Sequence, residues 1–562
     1  MVKIRTRVHD KFSLEFKIWY EKNGKAYSVK ERSKPDLFRQ ECWIFVPASL
    51  DVNALTYSRE QFYSDITSYY RTITPVYDLR QMVDDCVVAQ SGQIEDDTLK
   101  APKMNPSTHS PFGYLTNAVL NMVEFPTESN IAEYEYQIKM FCAIFKSACR
   151  ERYTLLKNQM ALGSRETSEE FSCCNSVERE NSGVDTSKSV DIGTFSDDLF
   201  VVLQGYGSLK ELLKGRVEEK LYDYYAFGEE FIINLAQMYI HKLNGFVSET
   251  QGGDNVLGVV NDVKETEAAY GRIIQRLITD LGKYKKDCGY SVLEEGQEVH
   301  NANLLYRWNV LKKYVESDLF LSVDKRKSGV IAEQVYYSIA AGLSMIFATA
   351  VAFTFQQKYG NFTMPLFVAL VVSYMLKDRI KELIRSAFAS NRKLKYFDNK
   401  TTLKVKDTVI GRSREGFDFL PQDKVPQHIM DIRNRSVIVD VENRLNQESI
   451  LFYRNLIELN GERLESTSEY EIEGINKILL FNFSSFIKKM DNPQVAYPYV
   501  RAQSGFENEQ LSGDKGIEVS SILVNKIYYI NFIFQFTCNG KVSHHRYRVM
   551  MNRDGILGLE QL

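Results

Sequence analysis

Few residues of this sequence stand at spacings that chemistry uses. Ser485-x-x-Lys488 has the spacing in which a lysine can activate a serine nucleophile. The companion motifs of such a site are missing, so chance spacing is the preferred reading. Gly205-x-Gly207-x-x-Lys210 is too short for a phosphate-cradling loop, and no buried strand precedes it in its helical surroundings. His544-His545 lies near Cys538, yet neighbours on a strand point to opposite faces, so both imidazoles cannot readily meet one ion. Seven histidines in the whole chain also argue against a multi-histidine metal centre. No G-x-S-x-G, H-E-x-x-H or G-x-G-x-x-G occurs. No cofactor, metal or catalytic residue is therefore assigned.

Thiols remain to be placed. The eight cysteines are Cys42, Cys86, Cys142, Cys149, Cys173, Cys174, Cys288 and Cys538, and none forms a C-x-x-C pair. Cys142 and Cys149 share one face of a helix and read as small buried hydrophobes. The vicinal Cys173-Cys174 pair sits in a polar stretch, where a redox or acylation role is set against simple exposure. Scattered, unpaired thiols fit a reducing compartment.

The elements that would hold any site follow from composition and pattern. The chain has 562 residues, 44% hydrophobic, with 70 Lys+Arg against 73 Asp+Glu and a net charge of −3. This is a folded globular composition, which excludes a disordered chain, a collagen-like fibre and a disulfide miniprotein. It gives no global pull toward nucleic acid or anionic lipid. Met1 to Tyr20 carry Lys3, Arg5, Arg7, Lys11 and Lys17 with no apolar run, so a cleavable secretory signal is not expected.

The most informative segment is central. Gln334 to Gln357 contains no charge, and its core Val335 to Phe355 would span about 31 Å as a helix, against a hydrocarbon core of roughly 30 Å. A second uncharged run from Tyr359 to Leu376 would cover about 27 Å. The expectation is a two-helix transmembrane hairpin at about 335–355 and 359–376. The alternative is a helical hairpin buried in a soluble core. The flanks are basic, with Lys325, Arg326 and Lys327 before the first run and Lys377, Arg379, Lys381 and Arg385 after the second, while the connection holds only Lys358. The positive-inside rule then predicts a multi-pass protein of the cell (inner or plasma) membrane with both termini cytoplasmic. Ala340, Ser344, Ala348 and Ala352 form a stripe of small residues in the first run, and Pro365, Ala369 and Ser373 form one in the second. Such stripes permit close helix packing, within one hairpin or between subunits. Asn361-Phe362-Thr363 matches a glycosylation sequon by chance, almost against the bilayer.

The fold class read from the pattern is an α+β membrane protein. Residues 1–125 are expected to form a strand-rich α+β head, with alternation at Phe12, Leu14, Phe16 and Ile18, a turn at Asn23-Gly24, a strand at Cys42 to Val46 and a helix from Tyr57 to Ile73. Residues 126–329 read as a mostly helical cytoplasmic region with a polar insert at about 161–195; residues 161–200 hold nine acidic and three basic side chains. Helices are expected at about 131–160, 196–245 and 255–288, and Leu304, Trp308, Leu311, Val315 and Leu319 mark a further helical seam. Residues 330–376 are the hairpin and 377–399 a basic juxtamembrane helix. Residues 400–562 read as a strand-rich α+β domain, with one helix at 440–460, a strand at Lys477 to Phe483 and a hairpin turning at Asn539-Gly540.

Three functions fit these features. The first is a membrane-anchored cytoplasmic interaction or scaffold protein with no recognisable catalytic motif. The second is an oligomeric membrane effector or pore-former gated by its cytoplasmic domains, for which a homo-oligomer would be required. The third is a membrane-surface enzyme with an unfamiliar site. The partners implied are the lipid bilayer and a cytoplasmic protein, with nucleic acid disfavoured.

Overall fold

Strands from the two ends of the chain interleave. The computed structural model describes residues 2–22, 35–83, 110–163, 192–251, 261–328, 330–360, 363–392, 397–445, 447–500 and 519–562. These fall into two units, one built from Met1–Ile73 with Leu321–Leu562 and the other from Thr74–Phe320. The expected turn at Asn23-Gly24 and the polar insert with Cys173-Cys174 lie outside the described residues.

The first unit is a β-sandwich. Its N-terminal strands are β1 (Val2–Asp10), β2 (Ser13–Glu21), β3 (Asp36–Val46) and β4 (Ile66–Thr72), with the short helix α1 (Arg59–Asp65) between β3 and β4. Ser58 caps α1 by accepting from the Gln61 backbone N–H. The helix expected from Tyr57 to Ile73 therefore stops after two turns, and Ile66-Thr-Ser-Tyr-Tyr, rich in β-branched and aromatic residues, continues as a strand.

The second unit is helical. It contains α2 (Pro111–Glu124), α3 (Glu128–Gly163), α4 (Ile192–Leu213), α5 (Glu219–Gln251), α6 (Asn261–Asp287) and α7 (Glu298–Glu316). Gly215, at φ +75°, divides the helical stretch expected at about 196–245 into α4 and α5. Phe141 stacks on Tyr206 at 5.6 Å and Tyr206 on Tyr225 at 5.1 Å, forming an aromatic spine. Cys142 and Cys149 are buried on α3, where burial pushes both thiols up. The seam of Leu311, Val315 and Leu319 is buried within this unit, and Trp308 stacks on Phe231 at 5.2 Å.

The chain then returns to the sandwich through β5 (Ser322–Lys327), α8 (Val330–Tyr359), α9 (Met364–Arg392), β6 (Asn399–Val405) and β7 (Thr408–Leu420). Two helices, α10 (Gln427–Arg433) and α11 (Val437–Leu445), precede β8 (Ser449–Leu459). The single helix expected at 440–460 is thus half helix and half strand. After α12 (Gly461–Glu465) come β9 (Gly474–Asn482), α13 (Ser484–Ile487), β10 (Gln494–Val500), β11 (Val519–Asn525), β12 (Tyr528–Cys538), β13 (Lys541–Asn552) and β14 (Gly555–Gln561). β12 and β13 form the expected hairpin, turning at Asn539 (φ +49°) and Gly540 (φ +78°).

One sheet has the order β1-β2-β9-β4 and the other β14-β13-β12-β3-β8-β7-β6-β5. Their inner faces pack through aromatic residues, with Phe16 of the small sheet 5.2 Å from Phe532 and 4.9 Å from Phe534 of the large one. The fold class read from the sequence needs correction here. No strand-rich head stands apart from a C-terminal domain, because β2 pairs with β9 and β3 lies between β8 and β12. Pairing between strands this distant in sequence leaves no local signal.

The two-helix transmembrane hairpin is also corrected. Among the described residues one helix, Gln334–Tyr359 within α8, is long and apolar enough to cross a membrane. The second run loses its length to the turn: Tyr359 is the last residue of α8, Gly360 turns at φ +75°, and α9 begins at Met364. Only Met364 to Leu376 then precede Lys377-Asp378-Arg379, a helical length of about 20 Å. That is two-thirds of a hydrocarbon core.

Candidate functional site

The helical pair is an insertion between neighbouring strands. Antiparallel neighbours are commonly joined by a turn of a few residues, but β5 and β6 are joined by α8 and α9. The ladder is closed up to the point of departure: Lys327 pairs with Asn399, and the Ser328 N–H donates to the Asp398 carbonyl at 2.7 Å. Both feet of the pair thus leave from one edge of the large sheet.

Small residues join the two helices. Ala340, Ser344, Ala369 and Ser373 are buried, and the Ser373 hydroxyl donates to the Ala348 carbonyl at 3.4 Å. Ala348 and Ala352 are half-buried, while Pro365 is exposed and lines a shallow apolar groove with Phe355, Met364, Val368 and Val372. The stripes are therefore occupied within the pair. The outward faces are apolar: Leu343, Met345, Ile346 and Phe353 on α8 and Phe367, Val368, Val371 and Met375 on α9 are exposed. Only 11% of the apolar stretch of α8 is buried, where the core helix of a soluble protein would be largely covered.

The basic residues divide by position. Lys377 lies 4.0 Å from the Tyr374 ring centroid, and Arg385 lies 4.2 Å from that of Tyr337, across on α8. Arg379 is exposed, Lys381 half-buried, Lys327 exposed, and Arg326 pairs with Asp324 at 2.8 Å. Lys325 behaves differently. It turns toward Glu415 at 3.6 Å and over the Tyr63 ring at 5.2 Å.

Glu415 belongs to a buried polar cluster that the sequence reading missed. Lys477 on β9, 0% exposed, donates to Glu415 Oε1 at 2.7 Å and to the Tyr453 hydroxyl at 2.7 Å. Tyr453 in turn donates to the same carboxylate oxygen at 2.7 Å. Burial would raise Glu415, but the Lys477 ammonium outweighs it, and the carboxyl is held at about 2. Burial lowers Lys477, and the Glu415 carboxylate opposes that shift. Beside it, Tyr70 bonds Ser413 at 2.8 Å, Ser413 donates to Asn455 at 2.7 Å, and Tyr20 donates to Gln40 at 2.9 Å.

A second carboxylate ties the exit strand. Asp398, immediately before β6, accepts from Arg59 at 2.6 Å, from the Tyr63 hydroxyl at 2.9 Å and from the Phe417 N–H at 2.8 Å. Arg59 also holds Asp418 at 3.0 Å. Lys325 on the entry strand and Asp398 on the exit side both touch Tyr63. The cluster is a clamp at the root of the helical pair.

No family model, curated protein or solved structure matches the chain. Its function must be read from this geometry alone. Lys477 and Glu415 are enclosed, so the cluster offers a substrate no entry in this conformation. The other motifs turn out to have packing roles. Gly205 and Gly207 lie inside α4, where a Cβ would meet Val83 Cγ1 at 2.9 Å and the Tyr284 hydroxyl at 3.2 Å, so close packing explains both glycines. Ser485 donates to Asp65 at 3.1 Å. His544 bonds Gln535 at 3.1 Å while His545 packs on Phe536 at 5.9 Å. No group of three metal-ligating side chains occurs among the described residues.

Proposed function

We propose that this chain is a membrane-associated interaction protein, in which the β-sandwich presents the α8–α9 pair to a bilayer from the cytoplasmic side. The observation that carries the reading is the apolar outer surface of α8, long and uncovered. Exposed apolar area on this scale is stable in lipid and a liability in water.

The geometry favours partial insertion. The contacts of Ser373 with Ala348 and of Arg385 with Tyr337 set an antiparallel register that puts Lys377 level with Ser344. From that level to the tip at Tyr359 is about 22 Å. The tip then stops about 8 Å short of the far side of a roughly 30 Å core, while both feet stay at the near face. Lys377, on its long stem, would stay at the headgroups, with Arg379, Lys381 and Arg385 facing anionic lipid.

Flotation tests this. The full chain, freed of detergent in the presence of phosphatidylcholine vesicles, should float with them. Ile346→Asp with Phe353→Asp should stay at the bottom while the sandwich melts at an unchanged temperature. A wild-type chain that remains a dispersed monomer without detergent or vesicles would refute the reading.

A further inference from the structure

The outer face of the large sheet carries a second polar cluster, distinct from the clamp. Val425 and Ile429 pack on Trp43, Phe45, Phe452 and Ile533 there. At the end of α10, Arg433 donates to Glu448 Oε1 at 2.7 Å. Past the left-handed Asn434, Arg435 donates to Glu448 Oε2 at 3.0 Å. Arg546 on β13 donates to the Ile432 carbonyl at 3.0 Å and to Asn531 Oδ1 at 3.3 Å. The side chains of Arg433 and Arg435 are 8% and 6% exposed.

Arginine cannot shed its charge. Among the described residues, three guanidiniums therefore face one carboxylate, Glu448, and two positive charges are left over. Arg548, alongside on β13, is matched by Glu560 and brings no spare anion. Burial, with repulsion from Arg433 and Arg548, pushes Arg546 below its usual range. Donors are left over too: Arg433 Nε, Arg546 Nε and Asn531 Nδ2 are buried and meet no acceptor among the described residues. Unpaired charge and unpaired donors are both costly when buried. An anion with several oxygens answers both needs.

We infer that Arg433, Arg435, Arg546 and Asn531 form a binding site for a phosphate group. A carboxylate would supply one charge and two oxygens. A phosphate monoester supplies nearly two charges and three free oxygens, which matches the surplus. Arg546, half-exposed, opens the site to solvent. Following the antiparallel registers from β6 through β7, β8 and β3 to β12 places Leu420, Ser449, Val46 and Asn531 at the end of the sheet from which the helical pair departs. Both a soluble phosphate and a lipid phosphate headgroup can reach this end.

The test uses the full chain in mild detergent. Inorganic phosphate should raise its melting temperature saturably, and acetate at equal ionic strength should not. Arg546→Gln, which leaves both Glu448 pairs intact, should weaken the apparent affinity about tenfold or more, the loss of one charge-assisted hydrogen bond. Asn531→Asp supplies an internal anion; it should raise the melting temperature in the absence of phosphate and abolish the response to it. Flotation on phosphatidylcholine with and without phosphatidate separates the sources. Added binding to phosphatidate that phosphate competes away assigns the headgroup; a phosphate response without that gain assigns a soluble ligand. The inference falls if neither phosphate nor phosphatidate acts beyond ionic strength, or if both variants respond as wild type does. A chain that responds to phosphate but ignores every vesicle overturns only the membrane reading.

Discussion

Removing Lys477 or Glu415 alone should damage the sandwich far more than removing both. Both side chains are enclosed between the sheets, 0% and 3% exposed, at 2.7 Å from each other. Breaking a buried pair leaves an uncompensated charge and costs about 3–5 kcal/mol, whereas exchanging the whole pair for apolar residues is often close to neutral. Lys477→Met leaves Glu415 with Lys325 at 3.6 Å and the Tyr453 hydroxyl, so the low end, about 3 kcal/mol, is expected there. Glu415→Leu leaves the enclosed ammonium with the Tyr453 hydroxyl, and the cost should be as large or larger. The double variant should lie within about 1 kcal/mol of wild type, giving a coupling of at least about 5 kcal/mol. Urea unfolding in mild detergent, followed by tryptophan fluorescence in a Trp308→Phe background, reads the sandwich through Trp19 and Trp43. If the two single costs simply add in the double variant, the two groups do not act as a pair and the clamp is misread.

Other consequences follow from the same geometry. Because Glu415 is held at about 2, well below a free glutamate, its contribution is complete above about pH 4.5 and is lost as pH falls toward 2. Wild type should lose roughly 3 kcal/mol more than Glu415→Gln across that window in acid-unfolding curves. Asp398→Ala removes the acceptor shared by Arg59, Tyr63 and the Phe417 N–H, and hydrogen exchange should accelerate in β5 and β6 while β12 and β13 keep their protection. Gly228→Ala drives a Cβ into the Tyr206 hydroxyl, which itself donates to the Tyr225 carbonyl. The helical unit should lose about 1–3 kcal/mol in a thermal melt monitored at Trp308. Ser344→Ile, at a buried contact of α8 with α9, should open the pair and reduce cross-linking between cysteines placed at Ala348 and Ser373.

Local pattern carried much of this fold and stopped where pairing became long-range. The alternation at Leu14, Phe16 and Ile18 and at Phe532, Phe534 and Phe536 marks real strands, and Asn539-Gly540 marks a real turn. That Phe16 rests on Phe534 is not legible, since some five hundred residues lie between them. Val437 to Leu445 and Ser449 to Leu459 are both rich in apolar and charged residues, so their periods blurred into one expected helix. The second apolar run was overcounted because composition does not show that Gly360 turns the chain inside it. The clamp did leave a trace. Lys477 shares its strand face with Leu479 and Phe481, and Glu415 shares one with Phe417, so each is a charge in an apolar phase. Such a charge, on a strand flanked by core residues, signals a buried partner on another strand.

The clamp and the helical pair together suggest a division of labour. The aromatic core of the sandwich is a rigid base, and the polar cluster fixes the two strands from which α8 and α9 depart. Strain at Glu415 or Asp398 would be felt first at those feet.

Depth measurement reports directly whether the helical pair enters the bilayer. With Phe353→Trp in a chain whose three native tryptophans are replaced by phenylalanine, emission can be quenched by lipids brominated at chosen depths. Phe353 lies about 14 Å beyond the level of Lys377, near the middle of the hydrocarbon core. Bromines close to the bilayer centre should quench most strongly, and aqueous acrylamide should not quench. Quenching by acrylamide with no effect of brominated lipid would contradict it.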